Sequence, residues 1–298
     1  MKNKTIAATI AALGAQIIFG FSFMSTKLAL NYTSPITVIA DRYIVAFLGL
    51  TVVMLLTKTK ITLNKNIWKL ILMSFFQPVL YFLFESYGIE MTTSSFSSVM
   101  ISLIPVVSMF SGIIFLRETP SKMQYVFTAL SVFGVCIMAL VGKAEGTVTV
   151  LGVILLLGAV VSSVAYNTLS RKISEEFSVK ERTYAMTTIG LIVFLSISFF
   201  QNIHMPQEII RHFMNVPYTC SILYLGIFSS VLAFLLLNYA NTYLPVAKTT
   251  VFANITTVVS VLAGIIFLNE SITFLTILST AMIIIGVWGV QLLNVKKS

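Results

Sequence analysis

A heptapeptide recurs in the chain with one difference, as Gly112-Ile113-Ile114-Phe115-Leu116-Arg117-Glu118 and again as Gly264-Ile265-Ile266-Phe267-Leu268-Asn269-Glu270. The second copy begins 152 positions after the first. The same spacing pairs identical residues on both sides of it, from Val106 and Val258 to Val135 and Val287. One register that holds across about 40 residues indicates an ancient duplication. In a membrane protein, such a duplication is typical of a transporter whose site lies between two repeats.

The composition assigns the chain to the membrane. Of its 298 residues, 57% are hydrophobic and 10% are charged, and the mean hydropathy is +0.97. A soluble domain carries roughly 25% charged residues. The net charge of +9 is spread over short loops between apolar runs rather than over one basic face. We therefore expect no nucleic-acid partner and interpret the basic residues as topology signals.

Ten apolar runs approach the length of about 20 residues that a membrane-spanning helix needs. The first is interpreted as a retained helix rather than a cleaved signal peptide. Five runs fall in each half, so the predicted fold is an all-α membrane protein with ten transmembrane helices in two inverted five-helix repeats, residues 1–146 and 147–298. The runs lie at 5–28, 35–56, 67–89, 91–116, 122–141, 150–170, 183–203, 217–240, 244–268 and 272–292.

Lysine and arginine predict the orientation. With the N-terminus in the cytoplasm, fourteen basic residues fall on that side, and Lys143 and Arg211 fall outside. This bias predicts a multi-pass protein of the cytoplasmic (inner) cell membrane with both termini inside the cell. The charged run from Arg171 to Arg182 is interpreted as a solvated cytoplasmic loop.

Four charged residues are predicted at similar depth near the outer ends of the first three spans: Lys27, Asp41, Arg42 and Glu85. Charges inside a membrane usually face a cavity or one another. Asp41 and Arg42 are sequence neighbours and point in different directions, so the simplest pairs are Lys27–Asp41 and Arg42–Glu85. We interpret the four as an outer gate of exchanging ion pairs. The alternative is a snorkelling lysine beside a static cluster.

Polar residues near the middle of the spans are the candidate substrate-binding residues. Ser102 and Asn254 are counterparts in the two copies and are expected to face each other across the bilayer centre. Pro78 and Pro105 are expected to interrupt their helices and free backbone carbonyls. Ordinary hydrogen bonding between helices is the alternative for these polar groups. The candidates are Gln16, Gln77, Tyr81, Ser102, Asn254 and Lys248.

Lys248 and the two repeated glutamates have competing interpretations. Lys248 is placed to bind a carboxylate or phosphate entering from the cytoplasm, or to snorkel to lipid headgroups. Glu118 and Glu270 each precede a new span, so we expect them to stabilise a helix end.

In these features the sequence resembles the drug/metabolite transporter superfamily, EamA type, over its whole length. The resemblance is carried by the Gly-x-x-x-Leu-x-Glu pattern in both copies, Phe19-Gly20 with Lys27, Asp41-Arg42-Tyr43, and Tyr239 with Pro245. Phe19 departs from the tryptophan that is frequent in the family. The resemblance implies ten helices in two inverted repeats, a central cavity, and transport of small metabolites, often amino acids or related compounds and commonly outwards.

The expected function is therefore secondary transport by alternating access, and the alternative is a proton-coupled multidrug exporter. That exporter needs a deeply placed carboxylate, and the sequence places no acid at the midplane. No paired aspartates, zinc signature or His-Glu-x-x-His occurs, so we expect no enzyme, no catalytic residue, no cofactor and no metal. The expected partners are a small-molecule substrate and bilayer lipid, with a homodimer left open.

Overall fold

A computed structural model describes residues 2–58, 66–116, 118–119, 121–144, 147–201, 212–244, 249, 252–270, 273–292 and 296–297. Their helices are α1 (Lys2–Leu30), α2 (Pro35–Leu56), α3 (Ile67–Ser74), α4 (Tyr81–Glu90), α5 (Ser94–Ile101), α6 (Ile104–Leu116), α7 (Lys122–Ala144), α8 (Val150–Lys172), α9 (Val179–Gln201), α10 (Val216–Leu223), α11 (Ala233–Tyr243), α12 (Ala253–Leu268) and α13 (Phe274–Leu292). Two π-helical segments join α3 to α4 (Phe75–Leu80) and α10 to α11 (Tyr224–Leu232), and a 3₁₀ turn occupies His212–Met214. Strand β1 (Glu118–Thr119) pairs antiparallel with β2 (Lys296–Lys297).

The helices fall on all ten predicted spans. Within the described ranges, seven helical stretches have the length and composition to cross a membrane, and three shorter apolar helices accompany them at Ser94–Phe110, Ala253–Leu268 and Phe274–Val290. The prediction of an all-α membrane protein is confirmed.

Contacts between successive helix ends define two faces of the bundle. At one, which we call the terminal face, Lys4 lies over the ring of Tyr243, and Lys69 forms a salt bridge with Glu176. At the other, which we call the far face, the Lys27 ammonium reaches the end of α4. Both α1 and α4 end at the far face, and α2, α5 and α8 begin there.

Proline interrupts the third and fourth spans, as the sequence predicted. Pro78 lies inside the Phe75–Leu80 segment, where Gln77 leaves helical geometry with φ −146° and ψ 113°. Proline has no N–H to donate and disfavours helical geometry in the residue before it, which explains this break. The fourth span breaks between Ile101 and Ile104, immediately before Pro105. A third irregular segment, Tyr224–Leu232, contains no proline and was not predicted.

The packing of the helices has a two-fold pattern. Helix α1 packs against α11 and α12, and α8 packs in the same way against α4 and α5. Helix α2 packs against α9, and α7 against α13. Each of these pairs joins one helix from the first half of the sequence to one from the second. The largest buried cluster also draws on both halves, from Phe23 and Tyr43 to Phe194 and Phe234.

One expectation about the terminal face is wrong. Arg182 is 0% exposed and is not part of a solvated loop. It lies in the first turn of α9 and donates to the backbone oxygens of Ser170, at 2.8 Å, and Asn238, at 3.1 Å. It also donates to the hydroxyls of Ser170 and Thr242. The Asn238 side chain in turn accepts hydrogen bonds from Tyr166 and Ser170. Two backbone carbonyls and two neutral hydroxyls therefore solvate this cation inside the protein.

A close approach of α1 and α12 yields the first testable prediction. A Cβ atom added to Gly20 would lie 2.5 Å from Cβ of Val259, whereas one added to Gly49 in α2 meets nothing within 4 Å. Overpacking costs about 1–3 kcal/mol, while alanine gains up to about 1 kcal/mol over glycine in an open helix position. Thermal unfolding in detergent should show Gly20→Ala melting well below the wild type and Gly49→Ala at or above it. Equal melting temperatures would contradict the close α1–α12 contact.

Candidate functional site

A cavity lies between the two halves of the bundle. It encloses about 630 Å³ of space between protein atoms, including its opening. Helices α1, α2, α4, α8, α11 and α12 all contribute side chains to its wall. The wall combines one cation, Arg42, and one carboxylate, Glu85, with a larger apolar surface. An apolar pocket with a few convergent polar groups is the usual form of a small-molecule site.

Arg42 is held in a fixed orientation on the cavity wall. Its guanidinium carbon lies 4.0 Å from the centre of the Phe82 ring, a cation–π contact. Nε donates to Ser230 Oγ at 2.6 Å, and Nη2 donates to Ser229 Oγ at 2.9 Å. Both serines lie in the π-helical Tyr224–Leu232 segment, whose wider turns place consecutive hydroxyls on one side. Nη1 makes no hydrogen bond within the described part of the chain, so it is free for an anionic ligand.

Glu85 lies on the same wall and is 3% exposed. Tyr81, one helical turn earlier, donates its hydroxyl to Glu85 Oε1 at 2.9 Å. The predicted Arg42–Glu85 ion pair is wrong, because no salt bridge joins the two side chains in the described ranges. The serines bind two of the three Arg42 nitrogens, and the tyrosine binds one of the two Glu85 oxygens. The remaining atoms of both charged groups are therefore available to a ligand in the cavity.

Three amides are among the other polar groups of the wall. Gln77 lines the cavity, and its Oε1 atom is buried without a hydrogen-bond partner. A buried acceptor without a partner costs about 1–3 kcal/mol, so a ligand that donates a hydrogen bond there would be favoured. Gln16 also lines the cavity, but its side-chain oxygen accepts from Thr256 Oγ1 at 2.7 Å. Asn167 contributes from α8, where its amide donates to the Ser163 carbonyl at 2.9 Å.

Aromatic rings form the apolar side of the cavity. The contributing phenylalanines are Phe19, Phe23, Phe82 and Phe234. Phe19 and Phe234 meet edge to face, with ring centroids 5.2 Å apart. This contact joins α1 to α11. The aromatic residue at position 19 is therefore part of the cavity wall.

Two stretches of the chain, residues 6–140 and 150–292, each match the EamA-like transporter family. The chain belongs to the EamA-like transporter family. The family predicted from the sequence is thereby confirmed, and each match covers one half of the chain.

Curated relatives and a solved structure agree with this assignment. "Uncharacterized transporter YcxC" from Bacillus subtilis (strain 168) is 30% identical across all of this chain and 97% of its own length. "Uncharacterized transporter" from Archaeoglobus fulgidus is 25% identical over 91% of this chain and 93% of its own. A solved structure titled "Crystal structure of protein" superposes with a TM-score of 0.66 at 14% identity, covering 96% of this chain and 99% of that one. The last supports the fold alone.

The predicted outer gate does not assemble as one cluster. Lys27 donates to the carbonyl oxygens of Ile89 at 2.8 Å, Glu90 at 3.3 Å, and Thr92. The predicted Lys27–Asp41 pair is therefore wrong. Lysine reaches these carbonyls because the end of a helix leaves them without intrahelical partners.

Asp41 has partners that sequence analysis missed. His212 Nε2 lies 3.0 Å from Asp41 Oδ2, and the Tyr218 hydroxyl donates to the same oxygen at 2.5 Å. His212 is buried in the turn that precedes α10. The local sequence gave no sign of this pairing, which joins residues 171 positions apart.

The predicted Ser102–Asn254 pair is not part of the cavity wall. The Ser102 hydroxyl donates to the Val99 carbonyl at 2.6 Å, which is ordinary intrahelical bonding. Asn254 is 4% exposed, and neither its Oδ1 nor its Nδ2 has a hydrogen-bond partner among the described residues. Lys248 lies outside the described residues.

Two residues that hold Arg42 in place were not among the predicted site residues. Ser229 and Ser230 accept its hydrogen bonds. The signal available in the sequence was a pair of adjacent serines inside an otherwise apolar helix.

Proposed function

We propose that this protein is a secondary transporter that moves small polar metabolites, amino acids or related compounds, out of the cell by alternating access. The observation that carries the proposal is the cavity between the halves, where Arg42 and Glu85 share one wall without pairing directly. Opposite charges held apart in this way suit a solute that carries both. The chain acts as a carrier and not as an enzyme.

The cavity supports one orientation of such a solute. Its carboxylate would meet Nη1 of Arg42, since the other two nitrogens are bound to serines. Its ammonium would meet Glu85 and the unpartnered Oε1 of Gln77. Its apolar part would then lie against Phe19 and Phe234, which line the same cavity.

The proposal includes the orientation in the membrane. The terminal face is cytoplasmic and the far face external, because this orientation places fourteen lysines and arginines on the cytoplasmic side. The repeats are residues 1–146 and 147–298. The equivalent packing of α1 with α11 and α12, and of α8 with α4 and α5, supports an inverted relationship between them.

Counterflow in proteoliposomes tests this function. Vesicles loaded with an unlabelled zwitterionic amino acid should accumulate the labelled compound transiently, and protein-free vesicles should not. The methyl ester and the N-acetyl derivative each remove one charge, so both should compete at least roughly tenfold more weakly. A protein that exchanges no amino acid or related zwitterion would contradict the proposal.

A proton-coupled multidrug exporter is the second candidate, and the position of Glu85 on the cavity wall favours it. In that case Glu85→Gln would abolish transport driven by an imposed pH gradient while sparing exchange without a gradient. For the zwitterion carrier, Glu85→Gln weakens both alike, because the side chain binds substrate in each. Measuring the two rates side by side distinguishes the mechanisms.

A further inference from the structure

The carboxylate of Glu270 binds the beginning of another helix. Oε1 accepts from the backbone N–H of Ser94 at 2.7 Å, and Oε2 accepts from that of Ser95 at 3.0 Å. The Ser95 hydroxyl also donates to Oε2. Glu270 was predicted to stabilise a helix end. The structure shows that it stabilises the N-terminus of α5, which belongs to the first half of the chain.

The repeated heptapeptide explains how Glu270 reaches α5. Asn269 ends α12 in the left-handed conformation, with φ 52°, and the Glu270 N–H bonds back to the Gly264 carbonyl at 3.1 Å. A Cβ atom on Gly264 would lie 2.6 Å from both Glu270 Oε2 and Ser95 Oγ. The first residue of the motif therefore makes room for the carboxylate of its last residue.

The contact lies at the far face, beside the turn between α4 and α5. The turn between α4 and α5 is held on its other side by Lys27, whose ammonium binds the last carbonyls of α4. A cation at the C-terminus of α4 and an anion at the N-terminus of α5 each lie beside a helix end of opposite partial charge, so both stabilise their helix. Glu270 is the member of this arrangement that comes from the second half of the chain, so its bond joins the halves.

We propose that Gly264 and Glu270 form a releasable latch that holds the far face closed. This inference rests on the proposed function. The latch joins the end of α12 to the start of α5, so each half of the chain supplies one side of it. In an alternating-access cycle, opening of the far face breaks this carboxylate–helix bond, and closing of that face restores it.

Sided cysteine labelling tests the latch without a substrate. Ser163, which lines the cavity, is replaced by cysteine in a chain whose Cys136 and Cys220 are changed to serine. A membrane-impermeant maleimide is applied to intact cells and, separately, to inside-out vesicles. We expect Glu270→Gln to raise labelling from the far face roughly tenfold, the change in population that about 1.4 kcal/mol produces, and to lower labelling from the terminal face.

Two further variants make the result specific. Glu90→Gln removes an exposed carboxylate at the same face and should leave both rates unchanged. Ser95→Ala removes a single hydroxyl donor and should give a smaller change in the direction of Glu270→Gln.

Two outcomes would overturn the latch. Glu270→Gln labelling that equals that of Glu90→Gln shows that the contact holds nothing closed, and a rise at both faces shows a structural role instead. Wild-type counterflow, measured in parallel, shows separately whether the proposed function stands.

Discussion

Replacing Arg42 with glutamine is expected to reduce counterflow of a zwitterionic substrate by roughly 100-fold at low concentration, because losing one partner of a buried charge pair costs about 2.7 kcal/mol or more. The side chain is 2% exposed and faces the cavity. Glutamine keeps a hydrogen-bond donor but supplies no charge to a carboxylate.

Lysine should not rescue this position. Two serine hydroxyls and the face of Phe82 hold a planar guanidinium, and an ammonium cannot make all three contacts while presenting a free donor. The matched control is Lys69→Gln, which removes a cation whose partner, Glu176, lies on the surface. Surface pairs contribute about 0–1 kcal/mol, so this variant should transport normally.

Exchanging the charges of positions 42 and 85 distinguishes the observed arrangement, in which the two side chains have separate partners, from the direct ion pair predicted from the sequence. The double variant Arg42→Glu with Glu85→Arg should recover no activity over either single variant, because the two side chains have different partners. Recovery of transport would show a direct pair during the cycle. An Arg42→Gln protein that keeps more than half of wild-type counterflow would remove Arg42 from the site.

Replacing Arg182 with methionine is expected to lower the apparent melting temperature by roughly 10 °C, since several buried acceptors lose their donor at about 1–3 kcal/mol each. Methionine fills much of the same volume without donating. The acceptors are the backbone and hydroxyl oxygens of Ser170, the Asn238 carbonyl and the Thr242 hydroxyl.

The control for Arg182 lies in the same charged run. Lys172→Gln changes an exposed cation and should melt within about 2 °C of the wild type, as surface substitutions usually do. Both variants are measured by fluorescence-detected thermal unfolding in the same detergent. Equal melting temperatures for Arg182→Met and Lys172→Gln would show that the buried network contributes no stability.

Features that depend on local chemistry could be predicted from the sequence. Apolar runs of sufficient length become helices in lipid, and a proline that lacks an N–H breaks them, so the spans and the breaks at Pro78 and Pro105 followed directly. The repeat and the family were equally accessible, because identical residues at one spacing need no structure to be seen.

The partners of buried charges could not be predicted. Position along a helix gives the depth of a side chain, but pairing also depends on how the helix is rotated and which neighbour it meets. Lys27 and Asp41 have similar depths and turn to different partners, the end of α4 and the His212 turn. The π-helical segment was not predicted, and it changes the directions in which Ser229 and Ser230 point from their helix. Arg182 is buried because α9 begins at Val179, earlier than the apolar run suggested.

Substrate protection of a cavity cysteine tests the central claim, that the space beside Arg42 and Glu85 is the transport site. In the Ser163→Cys protein without Cys136 and Cys220, we expect a transported zwitterion to slow thiol modification in proportion to its occupancy, and modification to stop counterflow. Modification that proceeds at an unchanged rate with saturating substrate, while transport continues, would contradict the account.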